Sequence, residues 1–410
     1  MTKVLDGVKV VEISAWAFVP SAGAVLADWG AEVIKIEPPT GDPIRGLVNA
    51  GVASIEGVNQ NFEIWNRGKK AIALDLTQPE AREIVLKLVA DADVFLTRYL
   101  PPVRRKLGID HDDIIGANPK IIYACGTGQG AKGPEQDRGG YDSITFWSRG
   151  SVSAAVTPPG YPRPVGMPSG AFGDSLSGVS LAGGIASALV RKAKTGEGGL
   201  VDGSLLGTAM WCMQMAIVGS VVAGVTSAPP APPADGPQPP AMVFNPLTYN
   251  YKTSDDRWVA LCMLQPDLYF DGLVKAIGRG DMATDERFST PQARAQNLTA
   301  IVSELEATFN SKPLAHWQEE LAKQPGQWDV VRLPFELPND PQAIANGFVQ
   351  NVDYGNGKTL PIIASPVQHD RTPLELTRAP EFAADTDDVL ASIGMDEDAI
   401  LQAKISGAVV

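Results

Sequence analysis

The feature that most constrains this chain is the alternation, over its first 125 residues, of short β-like runs with helical patterns. Val8 to Ile13 reads as a strand, a segment started by Pro20 and running to Trp29 as a helix, and Glu32 to Glu37 as a second strand. The rhythm continues with the strand Lys70 to Leu74, a helix from Pro79 to Ala90 whose Ile84 and Leu88 fit a helical period, and the strands Val94 to Leu96 and Lys120 to Cys125. Strands joined by helical crossovers pair in parallel, and their apolar faces must be covered on both sides. The expected fold class is therefore α/β, an open and mostly parallel sheet flanked by helices.

Between Tyr141 and Lys194 two helical stretches are expected, parted by the turn-rich Thr157 to Pro162, with the second starting near Asp174. A turn at Thr195 to Gly199 leads into Leu200 and Val201. Leu205 to Ala223 is the longest apolar run, and its Gln214, Gly207 and Gly219 favour a buried helix over a membrane span. Prolines crowd Ser227 to Pro240, which excludes helix or central strand and marks a linker. Beyond it, Leu247 to Tyr251 and Trp258 to Cys262 flank a turn and predict a hairpin, and helical patterns fill Asp267 to Ile277, Thr299 to Asn310 and Leu314 to Lys323. The last stretch returns to mixed β and helix, ending in the helices Asp387 to Ile393 and Asp396 to Ala403. The expected organisation is a large domain over 1–222 and 330–410, a linker over 223–242 and a smaller α+β domain over 243–329.

A formal charge of -13 excludes a general nucleic-acid binder, because neutralising phosphates needs a surplus of Lys and Arg. The three cysteines, Cys125, Cys212 and Cys262, form no CxxC pair and no metal spacing with the three histidines, so no metal is expected. A reducing cytoplasm is the simplest setting. The start, MTKVLDGVKVVEIS, lacks the basic and apolar regions of a signal peptide.

Several stretches, taken together, resemble the class III (CaiB/BaiF-type) CoA-transferase family. They are LDGVKVVEIS at Leu5 to Ser14, LADWGAEVIKIEPPTGDPIR at Leu26 to Arg45, NRGKKAIALDL at Asn66 to Leu76, ADVFLTRYLPPVRRKLGID at Ala92 to Asp110, NPKIIYACGTGQGAKGP at Asn118 to Pro134, GGYD at Gly139 to Asp142 and GDSLSG at Gly173 to Gly178. TRAPEF and DTDDVLASIG close the chain as they do in the family. The resemblance implies a Rossmann-like large domain built from both chain ends, an inserted small domain and an interlocked homodimer. It further implies transfer of CoA from an acyl-CoA to a free carboxylic acid, with neither nicotinamide nor flavin.

By local sequence alone Asp174 is an acidic helix cap. The resemblance makes it the nucleophile: a carboxylate attacks a thioester, and the resulting anhydride exchanges with CoA thiolate to an aspartyl thioester. Tyr141 stands where the related α-methylacyl-CoA racemases carry histidine, and with a pKa of about 10 tyrosine serves poorly as a proton carrier. Transfer therefore ranks above a 2-methylacyl-CoA racemase using Asp174 as acid/base, and above a non-catalytic CoA-binding homologue. For CoA, the cations on offer are Lys69, Lys70, Arg98, Arg104, Arg105 and Lys106. The resemblance selects Arg98, Tyr99 and Lys106, places Leu74 near the adenine, and puts Trp16 and Ala17, in the Ser14 to Val19 loop, near the thioester. Arg45 and Tyr141 complete the expected CoA contacts.

Two departures stand out. The family's Asn-Phe/Tyr-Arg-Pro-Gly run is here Arg98-Tyr99-Leu100-Pro101-Pro102, and Ala17 replaces a glutamine of the formyl-CoA:oxalate members, which disfavours oxalate. Gly128 to Gly133 matches GxGxxG, yet Pro134 follows where a dinucleotide site needs a helix. Asp110 to Asp113 reads as a helix cap rather than a metal site, Cys125 as packing, and His316 and His369 as structural.

Overall fold

The computed structural model describes residues 3–50, 58–227, 244–355 and 357–410, the side chains of 48–50 excepted. Most of the expected Pro-rich linker lies outside the described residues. The chain divides into two compact units, Met1–Pro230 with Asp340–Val410, and Ala231–Asn339.

The larger unit is organised by a six-stranded sheet of β1 (Lys9–Ile13), β2 (Glu32–Glu37), β3 (Lys70–Ala73), β4 (Val94–Thr97), β5 (Ile122–Thr127) and β6 (Gly199–Ser204). Their order is β3-β2-β1-β4-β5-β6 and every pairing is parallel. This is the doubly wound order of Rossmann-like sheets, in which the chain runs outward in opposite directions from β1 and β4. Alternate residues of each strand feed two cores. Val10, Val33, Leu96 and Ala124 pack under the Phe18–Asp28 and Phe172–Thr195 helices, while Val11, Ile34, Phe95 and Tyr123 pack under Pro79–Ala90 and the C-terminal helices Thr386–Ser392 and Glu397–Ile405. The chain end ties itself to β3, Val410 N–H donating to Ala73 O at 3.1 Å. Both chain ends thus build one sheet unit.

Phe18–Asp28 is almost wholly buried, pressed between the sheet and Phe172–Thr195. The close approach depends on Gly178, where a Cβ would lie 1.7 Å from Ser21 Oγ and 2.9 Å from Phe18 O. Any side chain there would force the two helices apart.

The expected single buried helix over Leu205 to Ala223 is corrected. Two helices, Leu205–Cys212 and Gln214–Val222, meet at 65° across Met213. The second buries nothing: Met215 is 88% exposed, Val222 83% and Trp211, just before the bend, 71%. Hydrophobicity alone does not say which surface covers a helix. No single helix among the described residues is long and apolar enough to cross a membrane, although the bent pair passes on length and composition.

The unit Ala231–Asn339 holds the hairpin expected from the turn at Thr253 to Asp256, Asn250–Lys252 pairing antiparallel with Trp258–Leu261. A third strand, Trp328–Val330, joins it. Its three residues make too short a run to be legible. Phe270, Leu273, Phe288, Ile301, Leu305, Phe309 and Trp317 form this unit's own core.

Candidate active site

In open α/β sheets, ligands bind past the carboxyl ends of the strands where the winding reverses. Here that point lies between β1 and β4. A cavity of about 210 Å³ opens there, lined by Ala15, Trp16 and Phe18 after β1, Arg98 and Leu100 after β4, Gly126 to Gly128 at the end of β5, and Gly139, Gly140, Tyr141, Asp174 and Leu205. The glycines admit close backbone packing: a Cβ on Gly128 would fall 2.6 Å from Gly140 Cα. The GxGxxG stretch is thus a loop of this wall, and no helical element follows before Asp142.

Asp174 is the third residue of the Phe172–Thr195 helix, but the capping expected of it is done by another residue. Gly173 N–H donates to Asp142 Oδ2 at 2.9 Å, and Asp142, the first residue of a short π-helix, is buried. A Cβ on Gly173 would fall 2.5 Å from Asp142 Oδ1. Asp142 thereby uses a helix-end amide that would otherwise stabilise Asp174 as an anion. Burial, first, and the nearby Asp142 charge, second, push the Asp174 carboxyl up from 3.8 to about 7, with Arg98 opposing both. An ionised carboxylate so poorly solvated is more basic and more nucleophilic than an ordinary one, and becoming an acyl derivative removes its charge.

The β1 loop is held in an uncommon conformation, Trp16 adopting φ 67°. Its N–H donates to Asp42 Oδ1 at 3.1 Å, and its ring meets the half-exposed Tyr141 edge-on with centroids 6.0 Å apart. Ala171, which precedes the Asp174 helix, is also left-handed, at φ 57°. Two non-glycine residues in that region flanking one cavity are backbone strain gathered at a site. Trp65 Nε1 reaches Ser175 Oγ at 3.4 Å, a further tie to the helix start.

Of the expected CoA contacts, Trp16, Arg98 and Tyr141 line the cavity with Asp174. Leu74 and Tyr99 line a second, narrow cavity of about 110 Å³ with Ile36, Glu37, Pro38, Pro39, Asp75, Thr77 and Leu107, a slot at the ends of β2 and β3. Three other residues are placed differently. Ala17 is buried against Ile44, Phe62, Trp65 and Ala379 and lines neither cavity. Arg45 is committed to the fold: its guanidinium grips Glu37 Oε1 at 2.7 Å and Oε2 at 2.9 Å, donates to Pro380 O and lies 3.5 Å from the Phe62 ring centroid. Lys106 is exposed and lines neither cavity.

The remaining cations are largely engaged. Lys69 is buried on Glu12 Oε2 at 2.8 Å, and Lys70 pairs with Glu32 at 2.5 Å. Arg104 holds Asp110 at 3.1 Å and lies 2.9 Å from Cys125 Sγ. Burial pushes the Cys125 thiol up to about 12, an inert group. Asp110 and Asp113 close a capping box, and the His316 and His369 rings pack on Trp317 and Trp29.

The switch point of this Rossmann-ordered sheet thus carries a cavity that holds a half-buried, weakly acidic carboxylate, Asp174. The family follows from comparison. The profile of CoA-transferase family III matches residues 5–386. The (R)-2-hydroxy-4-methylpentanoate CoA-transferase of Clostridioides difficile is 33% identical, covering 99% of both chains. The cinnamoyl-CoA:phenyllactate CoA-transferase of Clostridium sporogenes is 31% identical over 97% of this chain and 95% of its own. The crystal structure of a CAIB/BAIF family protein from Brucella suis superposes with a TM-score of 0.79 at 28% identity, covering 96% of this chain and all of the other. The chain belongs to CoA-transferase family III and is a CoA-transferase.

Proposed function

We propose that the chain moves CoA from an acyl-CoA thioester to a free carboxylic acid through a covalent Asp174. Asp174 Oδ attacks the thioester carbonyl carbon, the C–S bond breaks, and CoA thiolate departs from a mixed anhydride. The thiolate then attacks the Asp174 γ-carbon, releasing the donor acid and leaving an aspartyl-CoA thioester. An acceptor carboxylate attacks that γ-carbon and expels the thiolate, which finally attacks the acceptor's acyl carbon and frees Asp174. No proton or water is consumed, so the thioester's free energy passes to the product. The observation that carries this reading is a carboxyl pushed up to about 7 inside an aromatic-lined cavity, because every covalent stage relieves the burial of its charge. No histidine lines that cavity, which sets racemisation below transfer. The Leu74 and Tyr99 slot suits the adenine of CoA.

Incubation with an acyl-CoA and hydroxylamine should convert Asp174 to its hydroxamate, read as a mass change on the peptide bearing Gly173 to Gly178. A screen of acyl-CoA and acid pairs, beginning with 2-hydroxy-4-methylpentanoate and phenyllactate as acceptors, would define the pair used in turnover. Labelling elsewhere, or none with any acyl-CoA, sinks the covalent route.

The homodimer also belongs to this proposal. Its support is the exposure of the large apolar side chains Trp211, Met215, Val221 and Val222, close together in sequence. Sedimentation should give twice the chain mass, and Met215→Asp with Val222→Asp should shift it to the monomer, charges at an apolar interface costing several kcal/mol.

A further inference from the structure

Arg98 lines the Asp174 cavity, whereas its sequence neighbour Tyr99 lines the narrow slot with Leu74. Its guanidinium is half-buried and makes no hydrogen bond or ion pair with any described residue, although twelve other arginines form ion pairs. Its charge acts on Asp174, opposing the rise of that carboxyl. Around it stand Trp16, Phe18, Leu100, Tyr141 and Leu205, none of them anionic. A planar five-donor cation in an apolar, partly desolvated cavity calls for a planar anion, and a carboxylate matches its fork with two parallel hydrogen bonds.

We infer that Arg98 binds the reacting carboxylate of the acid substrate and so selects carboxylic acids at the Asp174 cavity. The inference rests on the covalent reading above. In the free enzyme the Asp174 carboxylate partly answers the guanidinium charge. Once Asp174 carries CoA it is neutral, and Arg98 faces a cavity with no anion until an acid arrives. The acid arrives with both oxygens on the guanidinium fork; one oxygen then stays hydrogen-bonded while the other turns to attack the aspartyl thioester carbon, expelling CoA thiolate. Because the second half-reaction is the reverse of the first, the same contact holds the departing donor acid.

The test compares wild type, Arg98→Met and Arg98→Lys with the acyl-CoA and acid pair that turns over fastest. Expected is a rise of at least about tenfold in the acid's KM for Arg98→Met, with a parallel rise in the product-inhibition constant of the donor acid, and a smaller rise for Arg98→Lys, which keeps the charge without the fork. The dissociation constant of CoA itself, measured by titration calorimetry, should change far less than the acid's KM. The pH profile of the donor half-reaction should move upward in Arg98→Met, since Arg98 opposes the rise at Asp174. Should Arg98→Met fail to fold, Arg98→Lys carries the same comparison. Weakened CoA binding with an unchanged acid KM would overturn the inference in favour of a phosphate contact. Failure of hydroxylamine labelling in the wild type would instead strike at the covalent route, whatever Arg98 does.

Discussion

Asp174→Asn is expected to lose transfer by at least about 10³-fold while making the chain more stable at pH 8. The two effects have one cause. The Asp174 carboxyl ionises near 3.8 when unfolded and near 7 when folded, burial being the largest reason and the Asp142 charge the next. Between those values the folded chain holds a proton that the unfolded chain has released. Stability therefore falls as pH rises through that window, and the loss is complete above it. The displacement corresponds to about 4 kcal/mol at most, which the solvent still reaching Asp174 cuts to roughly 2. Asparagine has the same shape and never ionises, so its advantage in urea denaturation should be small near pH 4, grow from pH 5 to pH 7 and level off near pH 8. Equal stability of the two proteins at every pH, with activity lost, would mean that Asp174 is not held in a charge-rejecting cavity. A variant retaining transfer would remove it from the mechanism.

The strands were readable because a parallel sheet covered on both faces leaves near-continuous apolar runs, and VKVVEI, EVIKIE and IIYAC are such runs. Their order was not, since nothing local in β3 says that it pairs with β2. Asp174 could be singled out only through the resemblance, because a helix-start aspartate is ordinarily a cap. That role falls to Asp142, 32 residues earlier in the chain, and no spacing announces a carboxylate that reaches across from another element. Arg45 illustrates the converse. Expected as a CoA contact, it is gripped by Glu37, eight residues earlier, which folds back onto it. Leu205 to Ala223 shows a third limit, since an apolar helix announces burial without naming the surface that buries it.

Polar residues inside β1 and β2 conceal the second large effect. Glu12 and Lys35 form with Asp42 and Lys69 a network whose four side chains are all fully buried. Lys35 Nζ lies 2.9 Å from Asp42 Oδ2 and 3.4 Å from Glu12 Oε1, and donates to Ser14 O at 3.0 Å. Lys69 pairs with Glu12 Oε2 at 2.8 Å and donates to Pro20 O and Asn66 Oδ1. Gly23 leaves the room, a Cβ there falling 2.0 Å from Glu12 Oε2. Two cations and two anions balance, although unequally. Asp42, Glu12 and Glu37 hold Lys35 above its ordinary value against its burial, whereas desolvation lowers Lys69 to about 8.

Lys35→Met would leave Asp42 buried without its nearest counter-charge, and a buried pair broken on one side costs about 3–5 kcal/mol. Urea denaturation should report that loss. Catalysis should suffer too, because Asp42 Oδ1 holds the N–H of Trp16 at the cavity wall; a roughly tenfold fall in kcat/KM is expected. Adding Asp42→Asn to Lys35→Met restores neutrality while keeping an acceptor for the N–H groups of Trp16 and Ile44, both 3.1 Å from Oδ1. The double variant should therefore recover at least half of the lost stability, a coupling of about 2 kcal/mol between neighbouring sites. Additive losses would show that the two charges do not depend on each other, and that the Trp16 loop is held by its packing alone.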